Sequence, residues 1–359
     1  MSNSHLANII EYTRALVGYD TQNPPRDLHE NSDIFLYLSK VLSDFSIQIF
    51  DLGNGSVSFY ATRGNPDILF NVHLDTVPAV NEWTQSPHQL VEIQDRVIGL
   101  GSCDIKGAAA CLIELSKLDS RDLAFLFTTD EEGADGICIN EFIQAGFSQG
   151  YAQAVVAEPT NCEAITEHCG FLSVAMDFSG LAGHSSNVEA LRQSANHHLV
   201  TWAQAALDYV NQEYQNNSNA RFNIGVLQGG IKSNISADRA YCKWSARLAP
   251  GSDMQQFLLD IKDCAPVEAN IEWHPSFAGP SLPSKGYDNL ASQAFITRHA
   301  LKTGEPVGFW TEASLFNAGG LPAIVLGPGD IKQAHSADEF VLKTQLQTAF
   351  ELYEKISRP

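Results

Sequence analysis

Basic residues are scarce in this chain. Its 359 residues hold 22 Lys and Arg against 42 Asp and Glu, a formal charge of −20. Nucleic-acid binding needs a basic footprint, and the sequence has none to offer, so that class is excluded. Long apolar runs are missing as well. No stretch reaches the roughly 18 apolar residues that a membrane-spanning helix requires. The opening Met1 to Asn8 is polar and lacks the apolar core of a signal peptide, so a cytoplasmic protein is expected. Cysteine pairing signals are absent too. Seven Cys make an odd number, and none stands in Cys-x-x-Cys spacing. That fits scattered thiols in a reducing compartment rather than a disulfide framework. Cys103, beside Asp104, reads as a small packed residue.

What is present suffices for large cores. Hydrophobic residues make up 44% of the chain, and its length points to two domains. Residues 5–18 carry helical periodicity, and 28–45 read as a second amphipathic helix. Strands are expected over 47–52, 56–63, 68–72, 91–100, 123–129 and 154–157, with helices over 106–118 and 140–145. This alternation describes an α/β domain built on a parallel or mixed sheet. The pattern changes near residue 166. Strands over 171–178, 221–228, 240–248 and 270–274 alternate with helices over 189–214 and 253–264. That β-α-β-β-α-β order is the ferredoxin-like split unit. Ser185 or Ser186 is a candidate cap for the long helix, and His197 and His198 read as solvated. A helix over 288–303, a strand over 323–326 and a helix over 344–356 return to the first pattern. The expected architecture is a mixed-sheet α/β domain formed by 1–165 and 277–359, with a ferredoxin-like α+β domain inserted over 166–276.

Chemistry gathers at the strand ends. The apolar run at 68–72 delivers His73 and, two positions on, Asp75. Alternate side chains of an extended segment point the same way, so the two emerge together. Open α/β sheets bind ligands at this end of their strands. A metal-binding His needs its other ring nitrogen held by an acceptor, and Asp75 is the candidate. Glu131 and Glu132 follow one later strand and Glu158 another, while Asp104 and His335 lie in loops. Two imidazoles and several carboxylates suit Zn²⁺, Co²⁺ or Mn²⁺. They are too many for one catalytic zinc and fit two cations sharing a carboxylate and a water. One carboxylate should stay free to take that water's proton. Adjacent Glu131 and Glu132 project differently from an extended backbone, so one can bind metal while the other faces the substrate.

These segments resemble the zinc-dependent M20 family of metallopeptidases and deacylases along essentially the whole chain. The resemblance rests on Val72-His73-Leu74-Asp75-Thr76-Val77-Pro78, Gly99-Leu100-Gly101-Ser102-Cys103-Asp104-Ile105-Lys106-Gly107, Thr129-Asp130-Glu131-Glu132-Gly133, Ala157-Glu158-Pro159-Thr160 and Gln333-Ala334-His335-Ser336-Ala337-Asp338-Glu339. It implies that His73 and Glu158 hold one metal and Glu132 and His335 the other, with Asp104 bridging. Zn²⁺ is the implied metal, with Co²⁺ able to substitute. Asp75 would orient His73, and Glu131 would be the general base and later the acid. Gly183-His184-Ser185 resembles the family's lid histidine, which stabilises the oxyanion, or it reads as a turn histidine bonded to nearby Ser185. In dimeric members the lid histidine comes from the other subunit's lid, so a homodimer through the inserted domain is implied. Asn234, in Gly229-Gly230-Ile231-Lys232-Ser233-Asn234, matches a carboxylate-binding position of the family. Arg247 reads either as a fork for a substrate α-carboxylate or as a structural ion pair. Glu312 reads either as a contact to the distal end of the substrate or as a helix cap.

In Asp20-Thr21-Gln22-Asn23-Pro24-Pro25-Arg26, Arg221-Phe222-Asn223-Ile224-Gly225, Phe309-Trp310-Thr311-Glu312-Ala313-Ser314-Leu315-Phe316 and Gly327-Pro328-Gly329-Asp330-Ile331 the chain is similar, within the family, to the branch that deacetylates Nα-acetyl-amino acids of the ornithine and citrulline type in arginine biosynthesis. The implied partner is thus a small N-acetyl-amino acid. The charge of −20 does not decide between a cationic and a neutral side chain. A di- or tripeptidase, a succinyl-diaminopimelate desuccinylase and a non-catalytic paralogue are the alternatives. The desuccinylase needs a pocket for a second carboxylate, for which Arg247 is the one evident candidate.

Overall fold

The computed structural model describes residues 2–118, 121–133, 136–213 and 220–358. Two compact units emerge. The first comprises Met1–Glu167, Tyr287–Pro306 and Thr311–Pro359, and the second His168–Gly286 and Val307–Trp310. Among the described residues no helix is long and apolar enough to cross a membrane.

The first unit is built on a six-stranded sheet. Its strands run Ser46–Asp51, Val57–Arg63, Leu123–Thr128, Ile68–His73, Gln153–Val156 and Ala323–Val325 across the sheet. The last four are mutually parallel, and the first two join antiparallel. Leu123–Thr128 is buried at every position because helices cover both faces of the sheet. The helix Lys106–Ser116 is likewise buried from end to end. Ala108, Ala109 and Ala110 let it lie close against the helices Ser2–Val17 and Lys343–Ile356. Gly107 is required there, since a Cβ would sit 2.4 Å from the Ser102 carbonyl oxygen.

Several elements differ from the sequence reading. Residues 91–100 form a hairpin, Val91–Ile93 and Arg96–Ile98, that turns at Gln94 with φ +57°. The strand Phe340–Leu342 pairs onto it and forms a separate three-stranded sheet. The second helix contracts to Asp33–Val41, although Leu42 and Phe45 beyond it remain buried.

The second unit has an antiparallel four-stranded sheet in the order Arg221–Gly229, Arg239–Leu248, Gly170–Ser179, Asn270–Gly279. That is the ferredoxin-like order expected from the β-α-β-β-α-β succession. The helices Ala195–Glu213 and Met254–Asp263 supply Trp202 and Phe257 to a core shared with Phe178 and Trp244. Against the expected 166–276 the unit begins at His168 and runs on to Gly286, with Val307–Trp310 added. The last strand continues to Gly279, His168 bridges to Leu282 and Val307, and the Trp310 indole N–H donates to the Pro280 carbonyl at 3.1 Å. The expected 189–214 helix is broken between Val188–Arg192 and Ala195–Glu213. Two outside partners hold the break open: Leu181 N–H donates to the Gln193 carbonyl, and Ala195 N–H to that of Ala237. The cap is Asn187, whose Oδ1 accepts from Glu189 and Ala190, rather than Ser185 or Ser186. His198 is buried against the Arg192 carbonyl, so only His197 is solvent-exposed as expected.

Candidate metal centre

Parallel strands bring the donors together. His73 ends Ile68–His73 and lies in register with Thr128, the end of its neighbour. Glu131 and Glu132 follow Thr128, and Glu158 follows Gln153–Val156 by two residues. All three ends therefore face the same edge of one sheet, where backbone groups leave their ladder and side chains can converge. Asp104 reaches this edge from the loop before the helix Lys106–Ser116, and His335 from the loop after the 3₁₀ turn Ile331–Gln333. His335 has φ +57°, a left-handed conformation that costs a β-carbon-bearing residue of order 1 kcal/mol or more.

His73 Nε2 lies 3.1 Å from Asp104 Oδ1 and 3.3 Å from Glu158 Oε1. His335 Nε2 lies 3.1 Å from Glu132 Oε1 and 3.3 Å from Asp104 Oδ2. Asp104 thus turns one oxygen to each histidine. His73 Nδ1 stands 2.9 Å from the Asp75 carbonyl, which can only accept, so Nδ1 carries the ring proton. Nε2 in turn faces two carboxylate oxygens, a place for positive charge: a proton on the ring or a bound cation. Donor atoms of His73, Asp104 and Glu158 lie within 4.8 Å of one another, and so do those of Asp104, Glu132 and His335. Imidazole with carboxylate is the donor chemistry of borderline divalent cations, and these residues fit a pair of them. Glu131 joins His73 and Glu132 in a third such group.

Electrostatics tell the same story. Burial works to lower the His73 pKa, but Glu158, Asp104 and Asp75 outweigh it and raise it well above the usual value. Hydrogen bonds to Asp104 and Glu132 push the His335 pKa up to about 11. Burial alone would raise the Asp104 carboxyl, yet bonds to His335 and His73 hold it below the carboxylate range. Burial pushes Glu158 up to about 7, with Asp104 adding to it, and raises Glu132 as well. Glu131 rises well above its usual value, first by burial of its carboxyl and then by Glu158, Glu132 and Asp104 overcoming His73. Protons take the place of cations in this crowd of acids.

Asp75 meets His73 Nδ1 through its main-chain carbonyl at 2.9 Å and its carboxylate Oδ1 at 3.5 Å. Its Oδ2 accepts from the Glu132 main-chain N–H at 3.0 Å and from Asn23 Nδ2 at 2.9 Å. The i, i+2 spacing put both groups on one side, but could not say which atom lies nearer. Asn23 is a supporting residue that sequence reasoning passed over. Glu312 differs from expectation. It is fully buried, makes no capping bond, and accepts from Thr128 Oγ1 at 2.9 Å. Burial, with Asp130 adding, pushes its pKa up to about 8.

The remaining candidates belong to the second unit. Gly183–His184 pairs antiparallel with Ile235–Ser236, which sets His184 opposite Ile235 and beside Asn234. Ser185 N–H donates to the Asn234 carbonyl at 3.1 Å, and both His184 and Asn234 are exposed. Ser186 N–H approaches His184 Nδ1 at 3.2 Å, so Nδ1 accepts and Nε2 carries the proton outward. Arg247 stacks its guanidinium 3.9 Å over the Phe171 ring.

The chain belongs to peptidase family M20/M25/M40, which it matches over residues 69–358. It is 44% identical to the N-acetyl-L-citrulline deacetylase of Xanthomonas campestris pv. campestris, over 98% of each chain. It is 31% identical to the acetylornithine deacetylase of Proteus mirabilis, over 86% of this chain and 84% of that one. Among solved structures, the M20 family metallo-carboxypeptidase of Sulfolobus solfataricus superposes with a TM-score of 0.74 at 16% identity, covering 98% of both chains. A dinuclear metal-binding peptidase of the same family from Bacillus subtilis gives 0.66 at 13% identity, covering 99% of this chain and 98% of that one. At such identities these two similarities speak for the fold alone.

Proposed function

We propose that this chain hydrolyses the acetamide of an Nα-acetyl-L-amino acid, N-acetyl-L-citrulline foremost, releasing acetate and the free amino acid. The observation that carries the reading is Asp104, whose two oxygens face two histidines, each flanked by a further carboxylate. His73 and Glu158 would hold one divalent cation, Glu132 and His335 the other, and Asp104 both. Bound there, two cations supply Lewis acidity and a water acidic enough to attack near neutral pH. Zinc is the resident ion in this reading, and cobalt can replace it.

The chain's own residues do the rest. Glu131 stays free of the cations, takes the attacking water's proton, and hands it to the departing amine nitrogen. Asp75 fixes the Glu132 main chain by accepting its N–H, and so sets where that donor stands. His184, with a proton on the outward Nε2, is the donor to the oxyanion. Asn234 and Arg247 bind the substrate's α-carboxylate. Assembly as a homodimer through the second unit, and a cytoplasmic place in arginine biosynthesis, belong to the same proposal.

The substrate assignment leans on the higher identity to the citrulline enzyme than to the ornithine one. A rate survey tests it, with N-acetylcitrulline, N-acetylornithine, N-acetylmethionine and dipeptides compared side by side on zinc-loaded and cobalt-loaded protein. The acetylated citrulline should give the highest kcat/KM, and excess chelator should abolish turnover. Faster cleavage of dipeptides, or full activity in chelator, would overturn the reading.

A further inference from the structure

Glu339 is a buried carboxylate four residues beyond His335, and no step above uses it. Its Oε1 accepts main-chain N–H groups from Cys103 at 2.8 Å and Asp104 at 2.9 Å, and its Oε2 accepts that of Gly101 at 2.9 Å. Its own carbonyl accepts from Gly99 N–H at 3.0 Å and from Ser102 Oγ at 3.2 Å. All these bonds run to the turn that ends in Asp104. That turn lies outside any helix or strand, and Gly101 takes φ +78° within it. Its amides thus have no ladder to satisfy them, and buried amides need acceptors. Both oxygens of the Glu339 side chain are engaged by them, Oε1 by two and Oε2 by one.

We propose that Glu339 is a positioning residue that fixes the main chain at Asp104, so that both Asp104 oxygens reach their cations at once. A bridging carboxylate has a stricter task than a terminal ligand, because a small rotation that improves one contact spoils the other. Asp104 divides its oxygens between His73 and His335 within 3.1 and 3.3 Å. Glu339 holds the backbone from which that geometry is launched. Chain connectivity adds a second link. The stretch from His335 to Glu339 carries a ligand at one end and the clamp on the bridge at the other. Beyond it, Phe340 pairs with Ile98 on the strand that leads into the turn. The ligand and the bridge are thereby tied to one another through a few residues.

Glutamine cannot replace this carboxylate. Its amide NH₂ would point at either Gly101 N–H or the N–H groups of Cys103 and Asp104, setting donor against donor. The inference rests on the two-cation reading, and one experiment separates the two. Metal-free wild-type protein and Glu339→Gln are titrated with Co²⁺, followed by calorimetry and by visible absorption, with circular dichroism to check folding. Wild type should take up two Co²⁺ per chain. The folded variant should bind Co²⁺ about 10- to 100-fold more weakly, as removal of groups that orient ligands commonly does. Its absorption band should also change, because the bridge geometry has changed. A purely structural role would lower thermal stability and leave Co²⁺ affinity and spectrum as in wild type, and that result overturns the proposal. Wild type that binds no Co²⁺ would sink the two-cation reading itself. Should the variant fail to fold, peptide-resolved hydrogen exchange on metal-free wild type decides. Slow exchange of the Gly101, Cys103 and Asp104 amides upholds the clamp, and exchange at the unprotected rate refutes it.

Discussion

In the first unit the strand Leu123–Thr128 is buried along its whole length, while in the second the strand Arg239–Leu248 alternates buried positions with exposed or half-buried ones. The contrast follows from cover. Helices on both faces leave a parallel sheet only its ends for chemistry, and there a close-packed core can hold several costly carboxylates in fixed positions. An antiparallel sheet with helices on one face keeps a second face for contacts; among its candidates His184 and Asn234 are exposed and Arg247 is half-buried. His184 leans on Ser186, Asn234 shares a short ribbon with it, and Arg247 lies over Phe171. Under the proposed function that contrast would be a division of labour, with cations and base in the first unit and substrate-binding groups in the second. Substitutions of the cation-holding residues in the first should alter metal content, and those in the second should alter kinetics with metal content intact.

Removing a donor from the first unit should have the largest effect. His73→Ala should lose a cation and all turnover, read by elemental analysis and by acetate release. Full metal content in that variant would break the contrast. In the second unit, His184→Ala should lower kcat by about 10²–10³-fold with metal content intact. A change confined to KM would turn His184 into a ground-state contact. Arg247→Ala should act more weakly, raising KM while kcat stays near wild type; an unchanged KM would leave it as a structural partner of Phe171.

The smallest effect concerns stability against pH. Burial keeps the Glu312 carboxyl protonated, its pKa pushed up to about 8. The folded chain then holds a proton that the unfolded chain releases in the ordinary carboxylate range. Stability from this group is complete below that range and is lost as pH rises through about 8. Metal-free protein should accordingly lose thermal stability between pH 5 and pH 8, and Glu312→Gln should flatten that slope. An unchanged slope would show that Glu312 ionises without cost.

Much of the first unit's site was legible because its signals are local. An apolar run ending in His73, and another followed by Glu131 and Glu132, mark strand ends whatever the partner strand. Other features depend on distant backbone groups and leave no trace in periodicity. The break after Arg192 exists because Leu181 and Ala237 claim the backbone there. Glu339 closes one of the stretches that carry the family resemblance, yet its role was not legible, since its partners are amides far away in the chain, and an amide looks the same in every residue. The hairpin within residues 91–100 turns on Gln94 and Asp95, a polar pair in an otherwise strand-like stretch. Asp75 was singled out correctly as a residue near His73, while its nearest contact runs through an atom that every residue possesses.

Glu131→Gln tests the account most directly, with turnover and metal content measured on one preparation. The account predicts two cations per chain, as in wild type, and a kcat lower by about 10²–10⁴-fold. Wild-type turnover, or the loss of a cation, would contradict it.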